Sequence, residues 1–504
     1  MIDTMRQSLL RAILLLCTVL LVACGTHAGD SATRLPGAGM PTAGSEAVAG
    51  TKTPPTGATK VGSTDATGVP APPQPTGIAI SATSEPTAIS GPEGTGTLTA
   101  PAPTSTLPPA TGSLRIRQWG YSQSEAYTEV SWGFLISNQD RASAVLDTAY
   151  VLTFVDDTGQ TIKVDEGYID IIMPDAEIGV GGSTFLPQGA IARSMRVDLR
   201  PGRLAQPPIR PAIAVENIAY FERSLFPIAT GVVSAVFDRP VEDVRVYAVG
   251  FDRNDAIVGG GSVFLPFILP GQPIGVEVSI SGAGQPSRIE LYPVITSATV
   301  HADEMALLNP RPAAVTIEKQ GWGAVAASGE IGWAFLLQNP SDTLAAEPVF
   351  YQVTAWSADG RVLATNTSAI PVLLPGELLG VGGSVFAPDG VAPDRVDIQI
   401  LDPSWEKLNA TAGMLPVSNV QLVPDVLTPR ATGVVTNGLD VDLGSVAVFA
   451  VGYDASGAII GGGLATIETL PARGEATVDV ALAVGGEPAR VELYAALSSS
   501  SQIP

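Results

Sequence analysis

The chain reads as all-β: four tandem immunoglobulin-like antiparallel β-sandwich modules in an A-B-A-B duplication, after a disordered linker. Three observations predict this. Apolar residues alternate at period two, as in Gly275-Val-Glu-Val-Ser-Ile280 and Ile331-Gly-Trp-Ala-Phe-Leu-Leu337, and no long segment keeps the i, i+3, i+4, i+7 spacing of a helix. Turn signals punctuate the runs: Asp157-Thr158-Gly159, Asn254-Asp255, Asp359-Gly360 and Ser456-Gly457. The chain after residue 112 also repeats itself.

The elements follow in order. Residues 1–23 are expected to form an export signal: Arg6 and Arg11 precede an apolar run from Ala12 to Val22, and small residues follow. The run is shorter than the ~20 residues needed to span a bilayer. The tetrad Leu21-Val22-Ala23-Cys24 resembles the bacterial lipoprotein lipobox. That resemblance implies acylation of Cys24 and attachment to the outside of a bacterial membrane. Residues 24–112 are Pro, Thr, Gly, Ala and Ser with almost no aromatics, as in Pro70-Ala71-Pro72-Pro73. Such a segment buries too little apolar surface to offset its ordering entropy. It is expected to be a tether spanning on the order of 50 Å.

Four modules are expected beyond it: A1 at 113–206, B1 at 212–305, A2 at 312–408 and B2 at 415–504. The segment Val244-Arg-Val-Tyr-Ala-Val-Gly-Phe-Asp252 recurs as Val446-Ala-Val-Phe-Ala-Val-Gly-Tyr-Asp454, 202 residues on. Trp132-Gly-Phe-Leu135 recurs as Trp333-Ala-Phe-Leu336, 201 residues on. Each quarter closes on a similar strand: Arg196-Val-Asp-Leu199, Arg288-Ile-Glu-Leu291, Arg395-Val-Asp-Ile398 and Arg490-Val-Glu-Leu493. About seven short strands in about 90 residues match a two-sheet sandwich, without the Cys-Trp-Cys hallmark of antibody domains.

The order Phe251-Asp252, hairpin, Leu269-Pro270-Gly271, and its copy Tyr453-Asp454, hairpin, Leu470-Pro471, resembles the FxLYD-type bacterial sandwich domain; Gly250 and Gly452 stand where that family has Leu. The resemblance covers the B modules best. It implies an extracytoplasmic accessory module rather than an enzyme.

Composition narrows the function classes. Net charge is −22 with a pI near 4.4, a surface that repels nucleic-acid phosphates. The two cysteines are Cys17, inside the leader, and Cys24, so the mature chain has no thiol chemistry and no disulfide. The two histidines are His27 and His301, leaving His301 alone as a base for a hydrolytic triad. No cofactor, metal site or catalytic residue is expected.

Several motifs carry competing readings. Gly179-Val-Gly-Gly182 and Gly380-Val-Gly-Gly383 resemble phosphate loops on the surface, yet no helix follows to aim N–H groups at a phosphate. Closely packed or bulged strands suit them better. Asp252, Asn254 and Asp255 offer clustered oxygens, as calcium loops do, although an aspartate bonding its own turn explains both Asp252 and Asp454. Asp165, Glu166 and Asp170 form the densest acidic cluster; their counterparts Asn366, Thr367 and Pro371 do without it, which favours a solvated strand face over a glycosidase pair. Trp132 and Trp333 belong in the core. Trp119 and Trp322 are the candidate ligand platforms, since an exposed indole face suits the apolar face of a sugar.

The expected function is non-catalytic: a lipid-anchored surface protein presenting tandem sandwiches for binding, adhesion or envelope spacing. Its expected partners are the membrane, through the lipid, and a protein or polysaccharide of the cell envelope. The alternative is an envelope glycan-binding or glycan-processing protein.

Overall fold

In a computed structural model the described residues are 112–123, 128–207, 212–222, 227–281, 284–296, 299, 314–325, 328–388, 391–408, 413–425 and 428–499. All lie in the compact unit Thr99–Pro504. The leader, Cys24, His27, His301 and the tether up to residue 111 lie outside them.

The first pair of sheets, A1, uses β1 (Leu114–Gln123), β2 (Glu129–Asn138), β3 (Ala144–Val155), β4 (Thr161–Ile172), β5 (Glu177–Phe185), β6 (Ser194–Arg200) and the short β7 (Arg203–Ala205). One sheet runs β1-β2-β5 and the other β4-β3-β6, with β7 also paired to β3. B1 follows with β8 (Ala212–Phe221), β9 (Ile228–Val236), β10 (Val241–Phe251), β11 (Ile257–Ile268), β12 (Ile274–Ser279) and β13 (Arg288–Ile295), arranged as β12-β9-β8 and β11-β10-β13.

A2 contains β14 (Thr316–Val325), β15 (Glu330–Gln338), the short β16 (Ala345–Ala346), β17 (Val349–Trp356), β18 (Val362–Ile370), β19 (Leu378–Phe386), β20 (Arg395–Ile400) and the short β21 (Trp405–Glu406). Its sheets are β14-β15-β19 and β18-β17-β20, and β16 pairs with β21. B2 contains β22 (Val417–Val423), β23 (Arg430–Thr436), β24 (Leu443–Tyr453), β25 (Ile459–Leu470), β26 (Glu475–Ala481), the short β27 (Ala483–Val484) and β28 (Arg490–Ala496), as β22-β23-β26 and β27-β25-β24-β28. The wiring is the same each time. The first, second and fifth long strands make one sheet, and the third, fourth and sixth make the other. All ladders are antiparallel, so the all-β sandwich expectation holds.

Period-two alternation decides which side chains face inward. On β12, Val276 and Val278 are fully buried while Glu277 and Ser279 point away. On β15, Ile331, Trp333, Phe335 and Leu337 share the core face, and Trp333 and Phe335 pack with Tyr351. Trp132, Phe134 and Tyr150 repeat that arrangement in A1. In β10 and β24 the apolar run is unbroken, Val246 through Phe251 and Val446 through Tyr453. A strand covered on both faces reads this way.

The second cover comes from the neighbouring pair. Sheet β1-β2-β5 lies on β10 and β11, where Leu135, Val249, Phe251 and Ile257 form a small buried cluster. Sheet β14-β15-β19 lies on β24 and β25 around Ala334, Val451, Tyr453 and Ile459. Between these joints β9 and β12 meet β17 and β18: Thr230 donates to Val362 O at 3.0 Å, and Thr365 N donates to Glu277 at 3.1 Å. The sheets therefore stack face to face from β4-β3-β6 at one end to β22-β23-β26 at the other.

Candidate functional site

The glycine runs belong to the joints. Gly181 on β5 faces β11, where an added Cβ would lie 2.8 Å from Gly261 N and 3.0 Å from Gly260 Cα. A Cβ on Gly260 would lie 2.8 Å from both Gly181 Cα and Trp132 O. Ser131 fastens the same point, donating to Gly260 O at 3.0 Å and accepting from Gly260 N at 2.9 Å. In the second joint a Cβ on Gly462 would lie 2.8 Å from Trp333 O and 3.0 Å from Gly382 Cα. Backbone meets backbone across both joints, so only hydrogen fits. Gly259 and Gly461 also flank the register shifts that end β10 and β24, at φ of 154° and 141°. Residues Gly179 to Gly182 are paired along the β2 ladder and no helix follows, so they offer no anion cradle.

The closing strands supply the rest of these joints. Glu492 accepts from Tyr453 and Tyr494, each at 2.7 Å, and from Arg490. Glu290 likewise takes Arg288 and Tyr292. The Tyr292 and Tyr494 rings occupy the space where side chains on Gly179 and Gly380 would stand. Burial, then hydrogen bonding to the glutamate, pushes both phenols up, so they remain donors at neutral pH. Arg288, Arg395 and Arg490 also stack over Phe251, Trp356 and Tyr453 at 4.0, 4.7 and 3.9 Å. The arginine–acid pairs are exposed, as the sequence implied, and add little by themselves. The stacking was not legible in the spacing.

Trp119 is half-buried against the A1 core and donates Nε1 to Met195 O at 3.0 Å. Trp322 is half-buried against the A2 core. They are not equivalent positions. Trp119 faces Phe134 across β2, a place taken in A2 by Gln320, which faces Phe335. Trp322 faces Trp333, and its A1 equivalent is Tyr121, which faces Trp132.

Asp252 accepts from Asn254 N at 2.8 Å and Ala256 N at 2.9 Å; Asp454 accepts from Ser456 N and Ala458 N, both at 2.9 Å. Backbone donors hold the Asp252 carboxyl below its ordinary value; for Asp454 the Ser456 hydroxyl comes first and backbone donors add to it. Asp156 does the same in A1, and the Ser357 hydroxyl replaces it in A2. These are turn-forming acids. Among the described residues no three His, Cys, Asp or Glu side chains gather as a metal site.

Asp165 and Glu166 lie opposite Leu152 and Val151 on β3, so they project from opposite faces of β4. Glu166 is exposed on the outer face. The equivalent β18 is covered by B1 on the face that carries Thr367, which explains Thr367 in place of Glu166.

Sequence reasoning missed three buried asparagines. Asn138, Asn339 and Asn437 each donate to three carbonyls that end neighbouring strands; for Asn437 these are Val441, Pro471 and Leu470 at 2.8, 2.9 and 3.2 Å. The recurrence of Asn138 at Asn339, 201 residues on, was the available signal. Two hollows lie between pairs. One of about 440 Å³ between B1 and A2 is lined by Glu216, Ser234, Val236, Trp356 and Arg395. The other, about 190 Å³ between A2 and B2, contains Glu377 among Leu374, Leu415 and Leu493.

No family model and no curated protein matches this chain. Among solved structures, the native conformation of E. coli alpha-2-macroglobulin aligns over 78% of this chain at 9% identity and TM-score 0.13, and a trypsin-activated form from Escherichia coli over 76% at 9% and 0.12. The alignment spans a third (33%) of each of those chains.

Proposed function

We propose that the chain is a non-catalytic surface protein, held on a bacterial membrane by an acylated Cys24, that carries four sandwich modules on the tether and presents them to the cell envelope. The lipobox resemblance supports the anchor. The observation that carries the presenting role is the pair of joints in which Gly181 meets Gly260 and Gly382 meets Gly462, backbone against backbone. Sheets locked at that distance hold neighbouring modules in a fixed relation, as an arm for binding, adhesion or spacing requires. The exposed Phe185 and Phe386, 65% and 54% accessible at the ends of equivalent strands, give such an arm repeated apolar contact points. Weak repeated contacts add through effective concentration.

Fractionation tests the anchor. Wild-type protein is expected in the membrane pellet and Cys24→Ala protein in the soluble fraction; a variant that stays in the pellet overturns the anchor.

A further inference from the structure

We infer that the contact between B1 and A2 is a self-recognition surface, and that the two outer faces of the stack are that same surface with its contact residues replaced, so each end is built to refuse a second copy of this chain. B1 and A2 meet head to tail. A heterologous contact of this kind propagates unless its free ends are blocked. The free ends here are the outer face of β4-β3-β6, equivalent to the A2 side, and the outer face of β22-β23-β26, equivalent to the B1 side.

Register makes the comparison residue by residue. Tyr351 and Tyr150 occupy the same place, each packed on a Trp and a Phe. Phe350 and Leu401, which pack onto the B1 core, therefore correspond to Ala149 and Arg200. On the other side Phe221, which packs onto the A2 core, corresponds to Val423, and its cross-strand neighbour Ile228 to Arg430. Gly275 corresponds to Thr477. A Cβ on Gly275 would lie 3.1 Å from Thr354 Oγ1 and nearer still to its Cγ2, and Thr354 has its own equivalent in Thr153. Glu166 stands on the A1 outer face where A2 has Thr367.

At the positions just compared the exchanges run in one direction: apolar bulk becomes Ala, Val or Arg, the glycine that permits close approach becomes threonine, and a hydroxyl becomes a carboxylate. Elsewhere on the same faces they run the other way: Ala369, Thr365 and Gln352 of A2 correspond to Tyr168, Val164 and Val151, and Glu216 of B1 to Ser418. Docking a second copy would bury Arg200 and Glu166 on one face and Arg430 and Asp479, whose ion pair is now exposed, on the other. Desolvating such charges opposes the contact, and repeat arrays end in polar outer faces for this reason. Two hydrogen-bonding positions survive, since Thr432 replaces Thr230 and Asp479 replaces Glu277, while Gln352, which donates to Gly275 O, becomes Val151. The surface is recognisable and blocked.

Sedimentation velocity on the full chain in mild detergent tests this. One variant restores the A1 face (Ala149→Phe with Arg200→Leu) and the other the B2 face (Arg430→Ile with Thr477→Gly). Wild type is expected to sediment as one species over about a hundredfold range of concentration, and each variant alone likewise. An equimolar mixture of the two is expected to form a 1:1 dimer at least about a hundredfold tighter than any wild-type association. Single substitutions Arg200→Leu and Arg430→Ile serve if a double variant does not fold, and an unchanged circular dichroism spectrum establishes folding. End-to-end association of wild type overturns the inference. So does pairing of either variant with itself, or a mixture of folded variants that stays monomeric.

Discussion

Gly462→Val probes the joint between A2 and B2 most directly. The new Cβ would lie 2.6 Å from Ala450 O, 2.8 Å from Trp333 O and 3.0 Å from Gly382 Cα. An unstrained carbon–oxygen contact needs about 3.3 Å or more. All three neighbours are backbone atoms of paired strands, so the sheets must separate, and the valine methyls add to the displacement. A gap of about 0.5–1 Å forfeits roughly a quarter to a half of each contact well. Val451, Tyr453 and Ile459 fill the cluster at this joint. Burying each large apolar side chain is worth about 1.5–3 kcal/mol, so the expected loss is about 2–4 kcal/mol. Guanidinium titration followed by tryptophan emission measures it. The control is Gly444→Val, where the nearest atom to a Cβ is Glu468 O at 3.8 Å; it should stay within about 0.5 kcal/mol of wild type. Equal midpoints for the two variants would refute a backbone-tight joint.

Two further substitutions test other parts of the fold. Asn437→Ala leaves the carbonyls of Val441, Leu470 and Pro471, and the N–H of Leu439, without their partner, and should cost about 3 kcal/mol in a urea titration. Glu377 lies partly buried in the smaller hollow, and burial pushes its carboxyl up to about 7 against the opposing hydrogen bond from Leu374 N. Below the unfolded value, 4.5, both states are protonated and the residue contributes nothing. As pH rises from there to about 7, the unfolded chain ionises first and folding loses stability, by at most about 3 kcal/mol above pH 7. Glu377→Gln should therefore raise the melting temperature at pH 8 and leave it unchanged at pH 4; an equal shift at both values would refute the buried acid.

Particular residues show what was legible. The alternation in β12 and β15 reported the buried face correctly because a strand with one polar face has period two. Asp252 and Asp454 were legible as turn acids because the bonds are local, two and four residues away. The glycine runs announced a close approach without naming the partner, because the partner strand lies in the next module. Trp119 and Trp322 look like one repeated position because each precedes a glycine. Pairing shows otherwise: Gly120 and Gly321 are the equivalent glycines, pressed against Ile257 and Ile459. A slip of two residues keeps a side chain on the same face, so periodicity cannot detect it.

The sequence by itself determined the all-β class, the A-B-A-B repetition and the poverty of thiol and imidazole chemistry, since local periodicity, the recurrence of segments along the chain and composition carry them in turn. Only tertiary structure decided which faces of the sheets are covered. That depends on contacts between strands far apart in the chain, such as Gly181 on Gly260 and Thr230 on Val362. It also decided why Ala149 and Phe350, or Thr477 and Gly275, differ between copies: one member of each pair meets solvent and the other meets a sheet.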